Sequence, residues 1–204
     1  MRLLLVRHGE TLLNLARVLQ PADTALSPRG HRQARALAER LAAEPLGGLW
    51  SSQLPRALQT AQAIAAAARQ PVNVVADLQE RHFGDLRGRA YDSLGFDPLT
   101  LQEAPPGGES AAQFQARVAQ VFGDAVAAAR VATGAWVVVT HGLVIRAMLE
   151  HHVQLPAGRP LPQRIANASV TVIEDGAAPR AVLVDCTAHL AADAADDPRS
   201  LSGG

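Results

Sequence analysis

The 204-residue sequence contains one cysteine, no long hydrophobic run and no excess of charge of either sign. The single cysteine, Cys186, excludes an intramolecular disulfide, and we expect it to fill apolar space in a protein of a reducing compartment. No apolar segment approaches the roughly 20 residues that span a bilayer, and the run at the N-terminus is too short for a signal peptide. The sequence therefore indicates a cytoplasmic protein without a membrane partner.

The charge balance limits the kinds of ligand that the whole surface could attract. Lysine and arginine together number 19, and so do aspartate and glutamate, which gives a net charge of zero. No overall field favours nucleic acid or an anionic membrane, so any affinity for anions must be local. The length suits one domain, which we predict over residues 1–190, followed by a flexible C-terminal tail over 191–204.

Strand and helix patterns alternate along the chain. Short apolar, β-branched runs predict strands, and apolar residues at helical spacing after Ser27-Pro28, Pro55 and the Ser110 capping box predict helices. We place strands at 3–6, 49–52, 72–75 and 136–140, and helices at 12–19 and 143–149, with 45–48 ending the helix that starts at 28. A terminal antiparallel hairpin is expected from 169–173 and 181–184. This order predicts an α/β fold, a three-layer α-β-α sandwich whose mostly parallel sheet has an antiparallel C-terminal edge.

Two predicted strands end in the same way. Arg7-His8-Gly9 follows the first strand, and His141-Gly142 follows the buried run at 136–140. If both strands are central and parallel, their carboxyl ends bring the two histidines to one edge of the sheet, where α/β folds bind ligands. Arg56 lies in the first turn of a helix that follows another strand, and its position at a helix N-terminus also favours an anion.

A cluster of two guanidinium groups and two imidazoles is repulsive unless an anion occupies it. A phosphoryl group is an anion that suits these side chains. Arginine pairs bidentately with phosphate oxygens, and a histidine can attack phosphorus to form a covalent intermediate. An alkoxide leaving group then needs a proton, which a carboxylic acid could supply. The residues alone leave two candidates for this acid: Glu80, in a polar loop after the third strand, and Glu10, close to His8.

Several segments together resemble the histidine phosphatase superfamily, the phosphoglycerate mutase-like family, in the branch of bacterial phosphatases and cofactor-dependent mutases. The resemblance runs from Leu3 to about Leu190, and each segment that carries it is short. These segments are Arg7-His8-Gly9-Glu10-Thr11 with Asn14, Ser51-Ser52 with Arg56, Glu80 with Phe83-Gly84, Gly107-Gly108-Glu109-Ser110, Val139-Thr140-His141-Gly142 and Asn167-Ala168-Ser169-Val170. The resemblance implies the phosphoglycerate mutase-like form of the α-β-α sandwich.

The resemblance also implies roles. His8 is expected to be the phosphorylated nucleophile, and Glu80 the proton donor that later activates water, with Glu10 structural. The phosphoryl and substrate contacts are expected from Arg7, Arg56, His141, Asn14 and Gly142. No metal and no bound cofactor are implied. One departure is Gln20-Pro21, where the family often has Gln-Gly; the proline removes a backbone donor near the substrate.

The loop after Glu80 leaves alternatives open. His82, Arg87 and Arg89 either meet a carboxylate or second phosphate of the substrate, or form a solvated loop face. Three apolar and aromatic residues further on either wall a pocket or pack beneath the loop: Tyr91, Phe96 and Leu101.

The favoured function is a phosphomonoesterase of the histidine acid phosphatase type that hydrolyses a small phosphorylated metabolite through a phosphohistidine on His8. The alternatives are a phosphoglycerate mutase-type phosphoryl transfer and, third, a non-catalytic phosphate-binding protein. Hydrolysis is favoured because the interval between Gly88 and Gly107 is short and no adjacent Arg-Arg pair occurs in the sequence. The sequence leaves the oligomeric state open, a dimer included.

Overall fold

The computed structural model describes residues 1–191. The predicted tail, 191–204, lies outside the described residues except for its first residue. Strands and helices follow one another as predicted for an α/β fold, and their bounds are β1 Arg2–Arg7, α1 Leu12–Leu15, α2 Pro28–Leu41, β2 Leu46–Ser51, α3 Pro55–Ala68, β3 Asn73–Val74, α4 Ala111–Val131, β4 Ala135–Thr140, α5 Gly142–His151, β5 Val170–Glu174 and β6 Arg180–Cys186.

The six strands form one sheet in the order β3-β2-β4-β1-β5-β6. β1, β2, β3 and β4 run parallel, whereas β5 pairs antiparallel with β1 and with β6. The register of the central pair places Arg7 opposite Thr140, so β1 and β4 end at the same level. The predicted mostly parallel sheet with an antiparallel C-terminal edge is confirmed.

Both faces of the sheet are covered by helices. Leu3, Leu5 and Val138 point to one face and pack with buried residues of α4 and α5. Their sequence neighbours Leu4 and Val137 point to the other face and pack with α2 and α3. Alternate side chains of central strands therefore enter two separate cores, which explains why these strands read as continuous apolar runs. The three-layer sandwich is confirmed.

The helix predicted at 12–19 is wrong in its second half. α1 ends at Leu15, and Arg17 has a φ of 54°, in the left-handed region that ends a helix. Beyond it, Leu19 exchanges backbone hydrogen bonds with the loop after Glu80: Leu19 N donates to Arg89 O at 3.0 Å, and Gly88 N donates to Leu19 O. Leu19 is therefore buried beside that loop and does not extend the helix.

The prediction for 45–48 is also wrong, because this segment leads into β2 and does not end α2. α2 ends at Leu41, and β2 begins at Leu46. The sequence suggests that Gly48 ends a helix, yet its lack of a side chain allows the ring of Trp136 to pack against it. A Cβ at Gly48 would lie 2.2 Å from the ring of Trp136 on the neighbouring strand.

Of the two edge strands, β3 is shorter than predicted and β6 is longer. β3 covers only Asn73–Val74 and is exposed, whereas 72–75 had been expected. The C-terminal hairpin is confirmed, with β5 at Val170–Glu174 and β6 at Arg180–Cys186. Between residues 89 and 106 the chain forms two short 3₁₀ turns, Tyr91–Ser93 and Pro98–Thr100.

Contrary to our expectation for a single cysteine, Cys186 does not fill the apolar core. It is half-buried, and Arg40 Nη1 lies 3.5 Å from its Sγ. Within residues 1–191, no helix is both long enough and apolar enough to cross a bilayer.

Candidate active site

The two histidines predicted to meet do so at the carboxyl ends of β1 and β4. Their ring centroids are 5.1 Å apart, and both residues are almost completely buried. His8 N donates to Thr140 O at 3.0 Å, which continues the pairing of β1 with β4 by one residue. The parallel register is therefore the physical reason that residues 133 positions apart along the chain share one site.

The His8 ring has a defined tautomer. Its Nδ1 lies 2.7 Å from the carbonyl oxygen of Gly9, and since a carbonyl only accepts, Nδ1 carries the proton. Burial lowers the pKa of His8 well below its ordinary value, and the positive charges of Arg7 and Arg56 lower it further. A neutral His8 protonated on Nδ1 keeps the lone pair on Nε2, which is the requirement for a nucleophile.

Two guanidinium groups lie beside these rings. Arg7 Nη1 donates to Ile165 O at 2.5 Å, and Arg56 Nη1 donates to Pro21 O at 3.4 Å. Each side chain is only 1 % exposed. Burial lowers the pKa of Arg56 to about 10, and its carboxylate neighbour Glu80 opposes that shift. Buried positive charge of this kind is costly unless an anion joins it.

The ring of His141 is held through Nε2, whereas the ring of His8 is held through Nδ1. Its Nε2 lies 2.9 Å from Ser52 Oγ, at the end of β2, and Ser52 Oγ accepts from Leu54 N at 3.2 Å. Burial, followed by the charge of Arg56, lowers the pKa of His141 well below its ordinary value. Within residues 1–191, His141 Nδ1 is buried without a hydrogen-bond partner.

Glu80 reaches the same cluster from the loop after β3. Its Oε1 accepts from Arg81 N at 3.0 Å, and its Oε2 accepts from Leu143 N at 3.1 Å, in the first turn of α5. Burial raises the pKa of Glu80, although both backbone donors and the charges of Arg56 and Arg7 act against the rise. A carboxyl group with a raised pKa near two guanidinium groups is suited to proton donation.

Glu10, the rival carboxylate, has a different environment. It is buried, and it accepts from Ser27 Oγ at 2.7 Å and from Arg29 Nη1 at 3.2 Å. Both partners belong to the start of α2. The contacts of Glu10 therefore join the loop after β1 to α2, which supports a structural role.

Asn167 lies beside the backbone carbonyl of His8, and Asn14 lies beside Asn167. Asn167 Nδ2 donates to His8 O at 3.1 Å and lies 3.5 Å from Asn14 Oδ1. Thr11 and Asn14 form a reciprocal capping box at the N-terminus of α1, which fixes the Asn14 side chain. Asn14 therefore lies one residue away from the backbone carbonyl of His8, with Asn167 between them.

The residues after Glu80 separate into two groups. His82 and Arg87 are half-buried, and Arg87 Nη1 lies 3.3 Å from His82 Nε2. The charge of Arg87 contributes to lowering the pKa of Arg56. Arg89 is exposed. His82 and Arg87 therefore form a half-buried pair, and the exposed Arg89 fits the alternative of a solvated loop face.

Sequence reasoning missed the residues that connect the cluster. Thr60 lies one turn after Arg56 on α3; its Oγ1 accepts from Gly9 N at 3.1 Å and donates to Arg56 O at 2.8 Å. Gln33 on α2 accepts from Glu10 N at 2.8 Å. A polar residue on the buried face of an otherwise apolar helix is the signal that could have found Thr60.

Gly9 and Gly30 show how closely these segments approach. A Cβ on Gly30 would lie 2.1 Å from Glu10 O, and one on Gly9 would lie 2.6 Å from Gly30 O. The backbone after His8 therefore packs directly on the first turn of α2. Over residues 1–191, no cluster of three or more metal-ligating side chains is present.

The chain belongs to the histidine phosphatase superfamily (branch 1), whose sequence profile matches residues 3–184. It is 37% identical over 186 residues to phosphoglycerate mutase-like protein 4 of Arabidopsis thaliana, covering 83% of this chain and 77% of the relative. It is 36% identical to the metal-independent phosphoserine phosphatase of Arabidopsis thaliana, covering 84% and 75% of the two chains.

A solved structure gives the same result. The native mycobacterial glucosyl-3-phosphoglycerate phosphatase superposes with a TM-score of 0.77 at 29% identity, over 91% of this chain and 99% of the other. The relatives thus include phosphatases as well as mutase-like proteins, and the phosphoglycerate mutase-like fold is confirmed.

Proposed function

We propose that this protein is a phosphomonoesterase that transfers the phosphoryl group of a small phosphorylated metabolite to His8 and then to water. One observation carries the proposal: the buried ring of His8, whose Nδ1 is hydrogen-bonded to Gly9 O, lies 5.1 Å from the ring of His141, in a site that also holds the buried side chains of Arg7 and Arg56. Family membership supports it, because phosphatases are among the relatives.

In the first step, His8 Nε2 attacks phosphorus and the bond to the ester oxygen breaks. Arg7 and Arg56 bind the equatorial oxygens and neutralise their charge as the phosphoryl group moves. His141 contributes a third donor: Ser52 Oγ can donate its hydrogen to His141 Nε2, which puts the ring proton on Nδ1, the buried nitrogen that lacks a partner. Asn14 and Gly142 complete the contacts to the phosphoryl group.

The leaving oxygen takes its proton from Glu80. The raised pKa of this carboxyl group keeps more of it protonated than an exposed glutamate would be at the same pH. The resulting Glu80 carboxylate then removes a proton from water, which attacks the phosphohistidine. Inorganic phosphate leaves, His8 regains its lone pair, and Glu80 regains its proton, so that every atom and charge is restored.

Hydrolysis is favoured over transfer to a second hydroxyl. The interval 89–106 contains one arginine, Arg89, and that residue is exposed. It therefore offers no pair of guanidinium groups to grip a substrate carboxylate while the phosphoryl group changes position. Without such a grip the dephosphorylated product can leave, and water can take its place.

A panel of phosphorylated metabolites tests this function, with phosphate release and isomerised product measured in the same reaction. We expect phosphate release to exceed isomerisation for every good substrate, and we expect His8→Ala to lower turnover by more than about a thousandfold. Faster conversion of 3-phosphoglycerate to its isomer than to phosphate would establish the mutase instead. Substantial hydrolysis by His8→Ala would remove His8 as the nucleophile.

A further inference from the structure

One motif of the sequence, Gly107-Gly108-Glu109-Ser110, takes no part in the proposed transfer of the phosphoryl group. In the structure it leads into α4, because Ser110 is the N-cap residue of that helix and its Oγ accepts from Gln113 N. Glu109 therefore stands directly before a 21-residue helix. Arg117 lies on the same helix, eight residues further along the chain.

Glu109 and Arg117 form an ion pair with two parallel contacts. Arg117 Nε donates to Glu109 Oε2 at 3.2 Å, and Arg117 Nη2 donates to Glu109 Oε1 at 2.5 Å. The Arg117 side chain is 13 % exposed and the Glu109 side chain 15 %, so water screens this pair less than it screens a surface pair. A bidentate arginine–carboxylate contact also fixes the orientation of both side chains.

Each member of this pair also binds the backbone on one side of Glu80. Arg117 Nη1 donates to Gln79 O at 2.9 Å. Glu109 Oε1 accepts from His82 N at 2.8 Å, and Glu109 N donates to His82 O at 2.9 Å. The arginine therefore holds the residue before Glu80, and the glutamate holds the second residue after it.

Two further carbonyl groups before Glu80 are held by side chains. Arg117 Nη1 also donates to Asp77 O at 2.6 Å. Leu78 O accepts from Thr140 Oγ1 at 2.6 Å, and Thr140 is the last residue of β4. The loop that carries Glu80 is thus fastened both to α4 and to a central strand of the sheet.

The glycines of the motif allow the two segments to touch. A Cβ on Gly108 would lie 2.5 Å from His82 O, and a Cβ on Gly84 would lie 2.0 Å from Pro106 O. Asp85 N donates to the same Pro106 O at 2.9 Å. The backbone before α4 therefore packs directly on the loop that follows Glu80, which brings Glu109 within reach of that loop.

We propose that Glu109 and Arg117 are positioning residues, which hold the Glu80 carboxyl group where it can protonate the leaving oxygen. The proposal rests on the phosphomonoesterase function and adds two residues to it. The carboxyl group itself accepts from Arg81 N and Leu143 N, so Glu109 and Arg117 act on it through the backbone. Since Arg81 lies inside the held segment, a shift of that segment would move both the carboxyl group and one of its donors.

Arg117→Met tests this role, because methionine keeps an unbranched side chain and removes the hydrogen bonds to the loop. The probes are p-nitrophenyl phosphate and the alkyl phosphate that the wild-type protein hydrolyses fastest in the metabolite panel. We expect kcat for the alkyl ester to fall by about tenfold to a hundredfold, since its leaving oxygen needs the proton of Glu80. For p-nitrophenyl phosphate kcat should stay within about threefold, and inhibition by inorganic phosphate should not change.

Arg130→Met is the matched control. It removes an arginine–carboxylate contact from the same helix, since Arg130 donates to Asp175 Oδ1. The control should leave the kinetics of both esters at their wild-type values. The ratio of the two kcat values does not depend on how much of a variant is folded, so it also serves for unstable variants.

Two further variants separate positioning from a general loss of structure. Glu109→Ala removes the other member of the pair and should lower the same kcat ratio. Arg117→Met added to Glu80→Gln should lower kcat for the alkyl ester by less than about threefold more, because no proton donor remains to be misplaced.

The outcomes distinguish the positioning role from the underlying function. An unchanged kcat ratio in Arg117→Met and Glu109→Ala, or a full further loss of kcat in the Glu80→Gln background, would overturn the positioning role and leave the phosphatase intact. An absence of phosphate release from every ester in the wild-type protein would instead overturn the proposed function itself.

Discussion

At the scale of single residues, burial shifts the pKa values of two kinds of titratable group in the site in opposite directions. Burial keeps His8 and His141 neutral by lowering the pKa of each ring, whereas the same burial raises the pKa of Glu80. These two directions favour a free lone pair on His8 and a proton on Glu80, as the proposed mechanism requires. Divergent pKa shifts of neighbouring groups are typical of sites that transfer protons.

Glu80→Gln should separate leaving groups by their need for a proton. We expect kcat to fall by about a hundredfold or more for alkyl phosphates, whose alkoxide must be protonated, and by far less for p-nitrophenyl phosphate. Steady-state kinetics over a series of leaving groups measures this. Equal slowing across the series would argue against proton donation by Glu80.

The buried histidines should also affect stability at low pH. Because the folded-state pKa of His141 lies below its unfolded value of about 6.5, the unfolded chain binds the extra proton, and stability falls as the pH drops below about 6.5. Relative to wild type, His141→Asn should gain about 1 kcal/mol of unfolding free energy per pH unit between about pH 6 and 5. Urea unfolding measures it, with exposed His31→Asn as the control; parallel curves for all three proteins would contradict the argument.

The raised pKa of Glu80 acts in the opposite direction. Its stabilising contribution is present at low pH and is lost as the pH rises above about 4.5 through the folded-state pKa. Comparing His141→Asn with wild type cancels this shared contribution, provided that Glu80 keeps its two backbone donors.

At the scale of elements, α3 and β1 are joined at the site by one hydroxyl. Thr60 Oγ1 accepts from Gly9 N, next to His8, and donates to Arg56 O. The helix that carries Arg56 is therefore tied to the strand end that carries His8. This contact explains how two elements from different parts of the chain keep a nucleophile and a guanidinium group in register.

Thr60→Val keeps the shape of the side chain and removes this connection. A buried Gly9 N–H without an acceptor should cost about 1–3 kcal/mol of unfolding free energy, and kcat should fall as His8 and Arg56 lose their common anchor. Thr60→Ser retains the hydroxyl and serves as the matched control, with near-normal kcat expected. Urea unfolding and p-nitrophenyl phosphate kinetics give both quantities; a fully active, fully stable Thr60→Val would refute the positioning role.

Element boundaries were predictable where one periodicity dominated. The helices that begin at Pro28 and Pro55 carry clear start signals, and the run at 136–140 is purely apolar and β-branched. Prediction failed at 12–19 and 45–48, because the apolar residues and glycines there are required by contacts with a segment that is distant in the sequence. Leu19 packs under the loop at Arg89, and Gly48 makes room for Trp136; no local pattern contains that information.

At the scale of the whole molecule, the sheet order brings distant segments to one edge. β1 and β4 are adjacent and parallel, β2 lies beside β4, and Glu80 enters from the loop after β3. The meeting of His8, His141 and Arg56 could be predicted because parallel strands end together. The cavity of about 450 Å³ between α4, α5 and the interval 89–106 could not, since its lining residues come from five irregularly spaced segments without a shared pattern.

Trapping the phosphorylated intermediate tests most directly whether His8 carries the phosphoryl group. Wild-type protein is mixed with a radiolabelled phosphate ester, quenched within the first turnover and cleaved into peptides. We predict one acid-labile, alkali-stable phosphoryl group on the peptide that contains His8, and none in His8→Ala. Label on another residue, or no labelled protein while phosphate release proceeds at its normal rate, would contradict the covalent mechanism.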